Sequence, residues 1–178
     1  MGTSEDDAAP SGAVSRVDAR FVAVLSVIAF ALHFGWENAQ CIAFFVHASS
    51  APTQVDMVQA TLGDVAMTWL AYVAVSLATR QWNWPFHKWA WMEWGSLAGS
   101  ALVMSVAVER FAIASGRWSY TANNPLVPGT DVSVLPIAQL LLLLPLSFWL
   151  TELIVSRSLT EKPRGARPGS EGPEPRTK

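Results

Sequence analysis

The chain has 178 residues, of which 51% are hydrophobic, a mean hydropathy of +0.28 and a formal net charge of −2. These values are high for a soluble domain and fit a membrane protein with polar tails. The basic residues form no patch interleaved with aromatic side chains, so we expect no nucleic-acid partner. The single cysteine, Cys41, cannot form an internal disulfide.

The two ends of the chain differ from its middle in composition. Residues 1–19 combine Gly, Ser, Ala and Pro with acidic residues, and residues 158–178 are rich in Pro, Gly and charge. Such segments bury too little apolar surface to offset the entropy of ordering, so we predict two disordered tails. The first stretch begins acidic and its apolar run is too long for a signal peptide. One transmembrane domain is therefore expected over 20–157.

The first apolar run, from Phe21 to Val46, is long enough to cross a bilayer and predicts helix 1 over 20–46. A charged side chain at the bilayer centre costs about 2.5 kcal/mol or more, so Glu37 needs a partner or a task. At about 100° per residue, one stripe of this helix carries His33, Glu37, Gln40 and Phe44, with Trp36 beside it. The alternative is that His33 and Glu37 only hydrogen-bond within the helix packing.

Helix 2 is predicted over 61–80, after a loop at 47–59 that contains no Lys or Arg. Its polar residues, including Asp64 and Thr68, recur at spacings of three and four, which again indicates one polar stripe.

The next segment, 81–94, holds five of the nine tryptophans. Because indole prefers the level of the lipid headgroups, this composition predicts an aromatic belt and an interfacial helix. A ligand cage built from the same rings is the alternative.

Helix 3 is predicted over 91–114 and contains Gly95 and Gly99, a spacing that allows close helix contact. The loop at 116–135 is too rich in Pro, Gly and Asn for a helix, yet it carries Trp118 and Tyr120. We expect it to fold back as a cap on the bundle. Helix 4 is predicted over 136–156, with a kink at Pro145.

Lys and Arg lie before helix 1, between helices 2 and 3, and after helix 4, and they are absent from the 1–2 loop. The positive-inside rule then places both termini in the cytoplasm of a cell-membrane protein. In that orientation Glu93 and Glu152 lie at the inner interface and act as anchors. Each of the four helices then places polar residues in the outer half of the bilayer: Glu37 and Gln40, Asp64 and Thr68, Glu109 and Arg110, and Gln139.

Such a cluster can support acid–base chemistry. A carboxylic acid in a dry pocket is available as a proton donor near neutral pH, and a second carboxylate kept ionised by Arg110 or His33 can act as the base. We therefore take Glu37, Asp64 and Glu109 as candidate catalytic residues. The candidate substrate-binding residues are His33, Trp36, Gln40, Thr68, Arg110, Trp118, Tyr120 and Gln139. A metal site is the competing use of the acidic residues, but their spacing is not diagnostic, so we predict neither a metal nor another cofactor.

The pair Trp36-Glu37 resembles the motif of small integral-membrane terpene cyclases. The segment Trp118-Ser119-Tyr120, followed by Gly129 and Leu135-Pro136, resembles the lycopene-cyclase domain and its carotenoid-hydratase relatives. The resemblance implies a small helical membrane protein that protonates an isoprenoid, as a lyase or isomerase of terpene or carotenoid biosynthesis. The lycopene-cyclase pattern has acidic residues after that proline, where this chain has Ile137-Ala138-Gln139. The acid would then have to be Glu37, Asp64 or Glu109.

The sequence thus predicts an all-α, polytopic membrane protein with about four transmembrane helices and a capping loop between helices 3 and 4. Its expected partners are the lipid bilayer and a lipophilic small molecule, on which it performs cyclisation, isomerisation or hydration. The alternative is a non-catalytic carrier or assembly subunit that uses the same polar cluster for binding or packing.

Overall fold

Four long helices form the fold of the computed structural model, which describes residues 17–47 and 53–160. They are α1 (Ala19–Phe44), α2 (Gln54–Thr79), α3 (Trp91–Ala114) and α4 (Val134–Thr160). Within the described part of the chain, all four are long and apolar enough to cross a bilayer. The predicted all-α, multi-pass membrane fold is therefore confirmed. The predicted tails fall almost wholly outside the described residues.

Each helix packs against two others, so that α1, α2, α3 and α4 form a closed ring in that order. The polar stripes of the helices face the inside of this ring. Other apolar side chains of the same helices, such as Val27, Leu70 and Val103, face outward, which is the arrangement expected where the surrounding solvent is hydrocarbon.

The helix ends follow from local chemistry. The Asp18 side chain accepts a hydrogen bond from the N–H of Phe21 at 2.9 Å and starts α1. Helix α2 begins at Gln54, seven residues before the predicted start at Thr61, because Thr53 and Asp56 form a capping box. This correction adds about two helical turns at the N-terminal end of α2.

The end of the bundle where α1 ends and α2 begins carries a small antiparallel sheet. Strand β1 (Phe45–His47) continues directly from α1 and pairs with β2 (Trp118–Tyr120), with Phe45 opposite Tyr120. Helix α1 therefore ends at Phe44 and not at the predicted residue 46. Phe45, Trp118 and Tyr120 also pack in one apolar cluster with Met57 of α2. The predicted capping loop between α3 and α4 is thus confirmed: it contacts the C-terminal end of α1 and the N-terminal part of α2.

The opposite end of the bundle, where α2 ends and α3 begins, is closed by aromatic packing. The tryptophan-rich segment forms a short 3-10 helix, Trp84–Phe86, between α2 and α3. Trp84 is 1% exposed and its indole N–H donates to the Ser76 hydroxyl at 3.2 Å, whereas Trp91 is 81% exposed. The belt interpretation therefore fits the exposed rings only, because Trp84 belongs to the core. At the start of α3, Glu93 accepts a hydrogen bond from the N–H of Ala90 at 2.9 Å.

Two further predictions concern the glycine pair of α3 and the proline of α4. A β-carbon added to Gly95 or Gly99 would meet no atom of another helix within 4 Å, so this pair makes no close helix contact in the described bundle. Pro145 lies inside α4, which continues to Thr160, four residues beyond the predicted end.

Candidate functional site

The side-chain amide of Gln139 is the centre of a buried polar network. Its nitrogen lies 2.8 Å from Oδ2 of Asp64, 3.1 Å from Oε1 of Glu37 and 3.0 Å from Nδ1 of His33. Its oxygen accepts a hydrogen bond from the Gln40 amide at 3.1 Å. These five side chains, which we call the Gln139 network, come from α1, α2 and α4.

Several polar groups share the amide of Gln139. An amide nitrogen has two hydrogens, and that of Gln139 lies within 3.1 Å of two carboxyl oxygens and of His33 Nδ1, whose role as donor or acceptor depends on the tautomer. His33 Nδ1 and Asp64 Oδ2 also lie 3.4 Å apart, and His33 is fully buried. The two carboxyl groups therefore share the hydrogens of one amide.

Helix geometry supplies further contacts on the α1 side. The thiol of Cys41 donates to Oε2 of Glu37 at 2.9 Å, and the Gln40 amide donates to Oε1 at 3.0 Å. The indole N–H of Trp36 donates to the Gln40 oxygen at 2.7 Å. All these pairs are three or four residues apart, so they lie on one face of the helix.

Thr68 lies one turn below Asp64 on α2 and borders the network. Its hydroxyl donates to the backbone oxygen of Asp64 at 2.9 Å and lies 3.5 Å from Nε2 of His33. The imidazole is thus held between α2 and α4 through both ring nitrogens.

A second acidic position lies on α3. Glu109 is 1% exposed, and its Oε1 accepts a hydrogen bond from the Tyr120 hydroxyl. Burial and the adjacent Glu109 raise the pKa of Tyr120 well above its ordinary value, so this phenol stays a donor. The other carboxylate oxygen of Glu109, Oε2, is buried without a hydrogen-bond partner among the described residues.

One cavity of about 480 Å³ joins the two acidic positions. Glu37, Asp64, Glu109 and Gln139 line it, together with apolar side chains that include Met67 and Leu140. This volume lies within the range of small-molecule sites. Apolar walls with a few convergent polar groups are also typical of such sites.

The structure brings together most, but not all, of the predicted site residues. His33, Glu37, Gln40, Asp64, Thr68 and Gln139 meet, while Glu109, Tyr120 and Trp118 lie at the opposite wall and cap of the cavity. Trp36 contacts the network from outside the cavity lining. Arg110 is not brought to the cavity: its guanidinium is mostly exposed and pairs with Asp131 at 3.3 Å.

Several residues of the cavity lining are absent from those predicted by the sequence, among them Cys41, Phe45, Ser105 and Arg117. Cys41 follows Glu37 by four residues, and this spacing, which places both side chains on one helix face, is the signal that could have indicated it. Phe45 lines the cavity from β1, and its place depends on strand pairing with β2. Only the alternation of side chains along this short strand could have indicated that Phe45 belongs to the site.

Among the described residues, no group of three or more His, Cys, Asp and Glu side chains has the geometry to hold a metal ion. Comparison of the chain with protein-family models, with curated proteins and with solved structures finds no significant match.

Proposed function

We propose that this chain is a multi-pass membrane enzyme that performs acid–base chemistry on a lipophilic, isoprenoid-like substrate. The reaction class is cyclisation, isomerisation or hydration of an alkene. The observation that carries the proposal is the cavity itself, in which Glu37, Asp64 and Glu109, from three different helices, face one apolar volume. Ionisable side chains inside a membrane domain are costly, and they mark functional sites by default.

Charge accounting supports a proton donor in the Gln139 network. Two nearby carboxylates in a low-dielectric site cannot both be charged without a compensating cation. Arg110 pairs with Asp131, Arg117 lines the cavity but is exposed, and His33 is the basic member of the network. In the proposed resting state, Glu37 therefore carries a proton.

In the proposed step, the O–H bond of the Glu37 carboxyl group breaks as the alkene π pair forms a new C–H bond. The carbon next to it becomes a cation, which the π-faces of Trp118 and Phe45 stabilise. Loss of a proton to the Asp64 carboxylate gives the shifted double bond. Attack by an internal alkene or by water, followed by the same proton loss, gives a ring or an alcohol. Electrons balance in each case, and the step needs no redox partner.

Membrane orientation belongs to the same proposal. Basic residues lie before α1, between α2 and α3 on the side of Trp84, and after α4, and they are absent from the 1–2 loop. We place both termini in the cytoplasm and the cavity in the outer half of the cell membrane.

The test compares total lipid extracts, by mass spectrometry, of cells with and without the gene and of cells expressing Glu37→Gln. The amide keeps the shape and hydrogen-bonding capacity of Glu37 but removes the titratable proton. We expect a product lipid to accumulate only with the intact protein. Its mass should equal that of the substrate, or exceed it by one water. Glu152→Gln is the matched control, because Glu152 contacts Ser156 at the other end of α4.

A stable Glu37→Gln protein that gives the same lipid change as the intact chain would remove the catalytic proposal. If the gene changes no lipid while the purified protein still binds prenyl compounds, the carrier alternative takes its place.

A further inference from the structure

The buried carboxylate of Glu109 lacks one hydrogen-bond donor. Its Oε1 receives the Tyr120 hydroxyl, whereas Oε2 has no partner among the described residues. The neighbouring N–H of Ser133 donates to the Tyr120 oxygen at 3.3 Å. Leaving a buried acceptor unsatisfied costs free energy comparable to a lost hydrogen bond, so a donor is expected from a molecule that enters the cavity.

Among the described residues, no charged side chain donates a hydrogen bond to Oε2 of Glu109. Arg110, the next residue in the chain, turns away and pairs with Asp131 at 3.3 Å. Arg117 lines the cavity, but it is exposed. The Gln139 amide contacts Asp64, Glu37 and His33. Glu109 is therefore a separate polar contact within the same cavity, distinct from the groups that move the proton.

The cavity opens sideways between α2 and α3. Its lining residues on α1 and α4 are buried or half-buried, whereas Gly63 on α2 and Val108 and Phe111 on α3 are exposed. Phe111 is 62% exposed, and a β-carbon at Gly63 would meet no atom within 4 Å. Since both helices cross the bilayer, the part of the opening beside Gly63, Val108 and Phe111 faces lipid tails, whereas the exposed Gln59 and Arg117 line its polar end.

We infer that the cavity binds a membrane-dissolved amphiphile whose head is a hydrogen-bond donor, a hydroxyl or an amine, placed on Oε2 of Glu109. The apolar tail leaves the bundle between Gly63 and Val108. The prenyl nature of the tail rests on the proposed function. The class of head group is what this inference adds.

The first test measures binding of three prenyl probes, farnesol, farnesylamine and farnesyl methyl ether, to the full chain in nanodiscs. Competition against tritiated farnesol gives the relative affinities. We expect the methyl ether, which has no donor, to bind about tenfold or more weakly than the better of the other two. Tighter binding of farnesol assigns a hydroxyl head, and tighter binding of farnesylamine assigns an ammonium head. Equal affinity of the ether and both donors would overturn the inference.

Variants of Glu109 add a second comparison. In Glu109→Met the acceptor is lost at similar side-chain length, so the preference for donor heads should disappear. If that variant does not fold, the comparison of the three probes on the intact chain still decides the inference.

The tail route is tested with matched glycine substitutions. Gly63→Phe fills the opening, and Gly35→Phe adds the same ring to an exposed position of α1 that also has no atom within 4 Å and lies outside the cavity lining. We expect farnesol binding to fall about tenfold or more in Gly63→Phe and to stay unchanged in Gly35→Phe. Equal effects of the two substitutions would rule out this route.

These binding measurements need no turnover, so failures of the two proposals can be told apart. Loss of the donor preference with an intact lipid change in cells would refute the head-group assignment alone. Retained donor preference with no lipid change in cells would refute the reaction alone.

Discussion

The amide nitrogen of Gln139 lies 2.8 Å from the carboxylate of Asp64, across 75 residues of sequence, and ties α4 to α2 at the level of the cavity. The same nitrogen contacts Glu37 of α1 at 3.1 Å. One neutral side chain therefore connects three of the four helices and holds two acids against a common volume.

Replacing Gln139 should destabilise the bundle. In Gln139→Leu the buried acceptors of Glu37 and Asp64 lose their shared donor, at a cost of about 1 to 3 kcal/mol. Unfolding in mixed SDS–detergent micelles measures this difference. Gln81→Leu is the control, since the exposed Gln81 makes its hydrogen bond through its backbone N–H. Equal stability of Gln139→Leu and the intact chain would contradict the central role of this amide.

Removing the hydroxyl of Tyr120 should produce a pH-dependent loss of stability. Tyr120→Phe takes away the hydrogen bond to Glu109, worth about 1 to 2 kcal/mol. Because the pKa of Tyr120 is raised above its ordinary value of 10.0, the folded chain binds the phenolic proton more tightly than the unfolded chain. The contribution is therefore complete below pH 10 and is lost as the pH rises above it. Unfolding titrations of both proteins from neutral to alkaline pH check this, and a difference that grows with pH would refute it.

The tryptophans between α2 and α3 should differ sharply in their effect on stability. Trp84 is 1% exposed and packs against Phe148 with ring centroids 4.8 Å apart, so Trp84→Ala leaves a cavity that costs about 3 to 5 kcal/mol. Trp91 is 81% exposed, and Trp91→Ala should change stability by about 0.5 kcal/mol or less. The same micelle unfolding assay compares them, and similar losses would show that Trp84 is no core residue.

Cysteine labelling tests the membrane orientation. The native Cys41 is buried, so it gives little background with an impermeant maleimide. Ala122→Cys, in the exposed part of the capping loop, should react in intact cells. Ser4→Cys should react only after permeabilisation. Labelling of Ser4→Cys in intact cells would place the N-terminus outside the cell and contradict the proposed topology.

The parts of the structure that the sequence predicts are those set by local periodicity. The polar stripes of α1 and α2 place His33, Glu37 and Asp64 correctly, because a helix in lipid must turn its polar face inward. Helix α3 begins at Trp91 and ends at Ala114 as predicted. The predicted helix 2 is too short because the capping box of Thr53 and Asp56 lies next to Pro52, in a stretch with the composition of a loop.

The parts that the sequence does not predict depend on rotation and pairing. Glu109 and Arg110 are neighbours on α3, yet one is buried and the other exposed, and only packing against α2 and α4 decides which. Tyr120 meets Glu109 because β2 pairs with β1, a strand that follows α1 more than seventy residues earlier. Contacts of such separation leave no periodic signal in the sequence.

The position of Gln139 on the last helix has a consequence for biosynthesis. As the chain leaves the ribosome, α1 and α2 carry Glu37 and Asp64 into the membrane before α4 exists. Until α4 is inserted, these two acids lack the amide that they share, and the cavity has only three of its walls. The site is therefore completed last, when α4 inserts. A chain truncated before α4 would expose Glu37 and Asp64 to lipid, and we expect membrane quality control to degrade it.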